Sequence, residues 1–351
     1  HAGRGLDLLA TSRCVMGLLR TEKRKERLER AVQKTVDQVR AQRRQRFRIL
    51  ACIKDAEDKF STAIMAAQLA PDDRCDIIIV YVRPIDQGLW SGGLQLKLAR
   101  QNMLDAGLEL PGLRLLKGAM KSLRKEGIDT REWKRVTGHQ DAWGDPAGDN
   151  KVEFNSESGR SVVLKLKTAP DPASGILDQY ELGPYNLIIL GEPSRWRGEL
   201  KSWFGTGVVQ RVAMLSPASV MVVRPDEKKR GFFICTTGTA RCMQAVRRSA
   251  VLAQSVGEPI TLFSAARTEQ DVKAAKDNVK KAKDLLDAIG IKVRKTQTEV
   301  GDPIEKIVEH GSKHKIIVVS DEGRSYFSRL LNPSVAYGVI KNADTSVMDV
   351  R

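Results

Sequence analysis

Short apolar runs alternate along this chain with longer stretches of helical period. Runs such as RFRILACI, NLIILG, SVMVV, GFFIC and KIIVVS are almost uninterrupted. That is the pattern of strands covered on both faces, and such strands belong to parallel sheets whose connections are helices. The stretch Asn186 to Val223 shows the full unit. A strand ends in Gly191, a basic loop follows, Gly205-Thr206-Gly207 opens an amphipathic helix, and a second strand closes it. Glycine at the end of such a strand lets backbone approach a ligand, and the free amides of a helix start suit an anion. Glycines that only turn the chain would read the same way.

The unit is written twice. RFRILACIKDAEDKFSTAIMAAQLA and GFFICTTGTARCMQAVRRSAVLAQ both run strand, turn, helix; DPASGILDQYELGPYNLIILG and DPIEKIVEHGSKHKIIVVS both run Asp-Pro, helix, strand. The spacing predicts an α/β protein of two tandem Rossmann-like parallel-sheet domains, residues 48–225 and 231–351, joined by the charged linker Pro225 to Arg230. Two insertions enlarge the first copy. Residues 85–127 carry two helix-like stretches, and residues 139–160 are Gly, Asp, Asn and Ser-rich, as expected of an exposed loop or hairpin. Residues 1–47 precede both copies as a basic amphipathic helical connector, with Leu28, Val32, Val36 and Val39 at helical spacing.

Composition narrows the class. With 41% hydrophobic and 29% charged residues in 351, the chain can bury two cores without a metal or disulfide staple. The five cysteines are odd in number and form no CxxC, so they read as reduced, small, buried hydrophobes. The net charge of +16 is uneven, with an excess of nine positive charges in residues 1–48. A basic arm of this kind fits a solvated packing helix, an anionic membrane surface or nucleic acid; nucleic acid ranks last because no aromatic residue precedes Phe47. No apolar run approaches the roughly 20 residues that cross a bilayer.

Catalytic constellations are missing: there is no GxSxG, GxxxxGK[ST] or HExxH, and only four histidines. His310 and His314 read as a solvated helix end. Asp55, Glu57 and Asp58 follow the first strand and are accounted for as the first turn of a helix. The expectation is a protein that is not an enzyme and holds no metal.

The repeated Asp-Pro helices, the Gly191 strand end and Gly205-Thr206 make both copies resemble universal stress protein domains. The resemblance implies ATP as a cofactor of the first copy, with phosphates on Gly191, Ser194, Gly205, Thr206 and Gly207, Asp55 near the ribose and Val82 near the base. Here Ser194 replaces a glycine of the family pattern. In the second copy Thr237 stands at the acidic position and Pro333 removes a backbone donor, so nucleotide is not expected there.

A second resemblance spans most of the chain. GRGLDLLATSRCVMGLLR followed by FRILACIK, and GEPSRWRGELKSWFGTGVV with Pro193, Trp196, Arg197, Phe204, Gly205 and Thr206, are similar to the cytoplasmic carboxyl-terminal domain of cation-chloride cotransporters, within the amino acid–polyamine–organocation class. It implies a regulatory, dimerising tail on the cytoplasmic side of a membrane, itself soluble, pairing as a homodimer and attached to its transporter's membrane domain. Residues 1–48 would then meet anionic lipid. The start at His1 and the stop at Arg351 on the last expected strand fit an excised piece of such a protein. A free tandem stress protein binding ATP is the other reading.

Overall fold

The computed structural model describes residues 25, 27–54, 60–84, 112–142, 145–179, 184–192, 206–320 and 335–351. Of the described residues, 25, 27–46 and 184 belong to one compact unit and the remainder to a second. In the first, residues 27–44 form helix α1. Leu28 and Val32 are exposed on it, and Val36 and Val39 are half-buried.

The second unit is built on one sheet of 12 strands. The strands are β1 (Phe47–Ile53), β2 (Cys75–Pro84), β3 (Lys134–Ala142), β4 (Asp145–Asn155), β5 (Ser161–Ala169), β6 (Leu187–Gly191), β7 (Ser219–Val223), β8 (Phe232–Cys235), β9 (Ile260–Ala266), β10 (Lys295–Val300), β11 (Ile316–Ser320) and β12 (Ser346–Val350). Across the sheet they run β10-β9-β8-β11-β12-β7-β6-β1-β2-β5-β4-β3. The order β5-β2-β1-β6-β7 therefore repeats as β10-β9-β8-β11-β12, parallel throughout each set. The two sets meet where β7 and β12 pair antiparallel, Met221 opposite Met348.

The apolar runs alternate between two covered faces, as the pleat requires. Ile49, Ala51 and Ile53 of β1 pack on one side, under α2 (Ser61–Gln68), α3 (Leu113–Lys125), α6 (Ala240–Ser255) and α7 (Val272–Ala288). Leu50 and Cys52 pack on the other, under α4 (Pro172–Leu177), α5 (Thr206–Leu215), α8 (Pro303–Gly311) and α9 (Val335–Asn342). Phe233 and Phe263, fully buried with centroids 4.9 Å apart, anchor the second face, each stabilising by about 2 kcal/mol through burial.

Of the two insertions, residues 112–127 carry α3, while the helix-like stretch in 85–111 lies outside the described residues. The segment 139–160 is a hairpin: β3 pairs antiparallel with β4, and β4 continues the sheet beside β5. It holds because Val152 and Phe154 pack on the core, and Asp149 accepts from Lys167 Nζ at 2.8 Å and from the Thr168 amide at 2.7 Å.

Arg224, directly after β7, is buried and ties the two halves. Its Nε donates to Glu192 Oε1 at 3.1 Å, its Nη2 to the Ile340 carbonyl at 2.8 Å and its Nη1 to the Thr345 carbonyl at 3.4 Å. Glu192 belongs to the first half; the two carbonyls belong to the second.

Candidate functional site

A doubly wound sheet opens a crevice beyond the carboxyl ends of its strands, where the strand order reverses. This sheet has two such points, between β1 and β6 and between β8 and β11. Their registers correspond: Ile49 pairs with Leu187, and Phe232 with Ile316. Counting onward, Lys54 matches Thr237, and Gly191 matches Ser320.

At the first point the Lys54 ammonium crosses the reversal and donates to the carbonyl of Glu192, one residue beyond Gly191. The Glu192 carboxylate is held from the other side by Arg224. Thr206 is the first residue of α5, and Gly207 is exposed with open space where a Cβ would stand. The parallel topology starts α5 on the side of the sheet where the strands' carboxyl ends, Gly191 and the Lys54 ammonium also lie. Asp55, Ser194 and Gly205 lie outside the described residues. Val82 is buried on β2, its side chain against Gly175 of α4.

Beside this crevice Asp171 caps α4, accepting from the Ser174 amide at 3.0 Å and hydroxyl at 2.6 Å, while Arg211 of α5 donates to it at 2.8 Å. Burial opposes ionisation of this carboxyl, but the Ser174 bonds and the Arg211 guanidinium outweigh it and hold the pKa below the usual carboxylate value.

At the second point the register position of Lys54 is taken by a threonine too short to cross. Thr237 Oγ1 donates instead to Cys242 Sγ at 3.1 Å and lies 3.3 Å from Thr239 Oγ1. A cavity of about 280 Å³ opens, lined among others by Cys235, Thr237, Phe263, Arg267, Ile307 and Ser320. Ser320 Oγ is buried there with no hydrogen-bond partner among the described residues. Burial, with Cys242 alongside, pushes the Cys235 thiol far above its usual pKa. Sequence reasoning treated Thr237 only as the loss of an acidic residue; the signal for a cavity was that Thr237 and Ser320 stand at the registers of Lys54 and Gly191.

The two histidines differ from expectation. His310 stacks on Phe263 at 5.9 Å and bonds Gln297 at 2.8 Å; His314 packs on Phe233 at 4.9 Å, with Nε2 3.1 Å from Thr261 Oγ1. Both are half-buried rather than solvated, because the helix end folds back over β8 and β9. Desolvation lowers the His314 pKa, assisted by the charge of Lys295. Among the described residues no cluster of three His, Cys, Asp or Glu side chains could hold a metal ion, and no helix is long and apolar enough to cross a membrane.

The family model described as the universal stress protein family matches residues 233–351. The fold is that of a universal stress protein. A universal stress protein from Archaeoglobus fulgidus DSM 4304 superposes with a TM-score of 0.55 at 13% identity, covering 87% of this chain and 96% of that one. A putative universal stress protein from Pseudomonas aeruginosa UCBPP-PA14 gives a TM-score of 0.56 at 13% identity, covering 88% and 94%. The chain is also similar, with a TM-score of 0.45 and 10% identity over 87% of this chain and 95% of that one, to the cytoplasmic domain of a prokaryotic cation chloride cotransporter. No curated protein matches the sequence. Both halves of the universal-stress-protein-like sheet thus carry the fold, although the family model itself covers only the second.

Proposed function

We propose that the chain is a non-catalytic regulatory module whose first half binds a nucleotide polyphosphate, ATP being the probe of choice, at the crevice between β1 and β6. The observation that carries this reading is the Lys54 ammonium lying across the strand reversal beside Gly191; α5 starts at the same, carboxyl edge of the sheet. A cation and a helix start at one edge of the sheet are what a phosphate group needs. In this reading Lys54 exchanges a backbone carbonyl for a phosphate oxygen when nucleotide enters. Calorimetric titration with ATP tests it. Binding that weakens roughly tenfold in Lys54→Met, the size of one lost charge-assisted bond, is the expected result. No heat at about 1 mM ATP, or unchanged affinity in the variant, overturns it.

The setting proposed for this module is the cytoplasmic regulatory and dimerisation domain of a cation-chloride cotransporter-like membrane protein, with a free ATP-binding stress protein as the alternative. The features favouring the tail are the GEPSRWRGELKSWFGTG segment and the basic arm, whose Leu28 and Val32 are exposed. Co-sedimentation with phosphatidylserine vesicles, compared with phosphatidylcholine, separates the two. The intact chain should bind the anionic vesicles and release with salt, and a chain starting at Arg46 should not. Equal sedimentation of both chains counts for the free protein.

A further inference from the structure

The second crevice is not a copy of the first. It lacks the crossing ammonium, and among the described residues its walls are largely apolar with no acidic side chain. Two of its polar groups have no partner among the described residues. Ser320 Oγ is buried and unbonded among the described residues, an arrangement that costs about 1–3 kcal/mol unless something else bonds it. Arg267, exposed where β9 ends, forms no ion pair among the described residues. Ser320 on β11 lies two strand spacings, about 10 Å, across the sheet from β9, and Arg267 stands three residues beyond its register there, with Phe263 and Ile307 also lining the space. A volume of about 280 Å³ is just under the usual range for drug-sized ligands.

We propose that this cavity binds a small organic monoanion with an apolar body, a monocarboxylate of roughly ten non-hydrogen atoms, its charge on Arg267 and its apolar body against Phe263 and Ile307. An apolar wall with one cation among its described residues favours a single negative charge on a hydrophobic frame over a polyphosphate, whose several charges would need several donors. The Thr237 hydroxyl, turned to Cys242, leaves the Ser320 hydroxyl to bond the ligand. The second half would then report a small acid, while the first half responds to a different ligand. This site stands apart from the nucleotide reading and neither requires the other.

The test is calorimetric titration of the full chain with benzoate and with hexanoate, using benzamide as the uncharged control. The anions should bind with a dissociation constant of about 1 mM or tighter, and benzamide at least about tenfold more weakly. Arg267→Gln should cost the anions roughly tenfold, Ala265→Phe should abolish binding by filling the cavity, and Lys54→Met should change nothing. Arg267→Gln, at an exposed position, keeps the test decisive if Ala265→Phe does not fold. No heat from either anion at about 10 mM overturns the proposal, as does benzoate binding that survives both substitutions. Displacement of benzoate by ATP overturns it too, since the cavity would then be a nucleotide site.

Discussion

The two halves of the sheet are superposable in strand order and opposite in what they do at the strand ends. In the first, Lys54 spans the reversal and meets the Glu192 carbonyl, and Arg224 fixes the Glu192 carboxylate, so the described crevice is bridged by charge. In the second, a threonine at the same register turns to its own helix and leaves a cavity. One side-chain length at one position separates a bridged crevice from an open one. A repeated fold therefore does not imply a repeated site: the scaffold fixes where a ligand can go, and the last residue or two of each strand decide which.

The sharpest way to break this comparison is to cut what couples its two sides. Arg224→Ala removes a buried guanidinium from one carboxylate and two carbonyls, and should cost about 3 kcal/mol in urea unfolding. If the halves are coupled through it, the variant should also show a broadened or split transition. A loss below about 1 kcal/mol with a single sharp transition would mean that the β7–β12 pairing alone joins them.

A smaller effect separates the equivalent helix caps. Asp302 accepts from the Ile304 and Glu305 amides at 2.9 and 3.1 Å, as Asp171 does from Ser174, but only Asp171 also holds an arginine. Both alanine substitutions should cost about 1 kcal/mol, the Asp171→Ala loss being slightly larger and shrinking as salt is added. Equal salt dependence at the two sites would erase the distinction.

The smallest expected change is in pH dependence. His314 has a folded pKa below its unfolded value, which is near 6.5, so the unfolded chain takes the proton first. Its contribution is complete above about pH 6.5 and is lost as pH falls through the window beneath. His314→Gln should flatten the stability profile there. A profile identical to that of the parent protein would remove His314 as its source.

Much of the scaffold was legible in advance, for stated reasons. Continuous apolar runs could only be strands covered twice, and Asp171-Pro172 and Asp302-Pro303 are helix starts that chemistry nearly dictates. The hairpin at 139–160 was half-legible: its polarity marks exposure, whereas its pairing with β5 depends on Val152 and Phe154 finding the core. The cavity was not legible. It depends on the register between strands 81 or more residues apart, β8 and β11, which no local pattern encodes. The histidines were misread for a similar reason, because the aromatic rings that bury them come from β8 and β9.

The seam has a bearing on how the chain is made. β12 is the last of the described strands in chain order, yet it sits near the middle of the sheet, between β11 and β7. While the chain is being synthesised, both of those partners wait as open edges until residues 346–350 emerge, and open apolar edges recruit other chains. A ribosome that stalls a few codons before that point would release a product with nearly all of its core and an unfilled slot at its centre. Such a product would be a natural target for chaperones and proteases, because the slot that those five residues fill is flanked by two apolar edges.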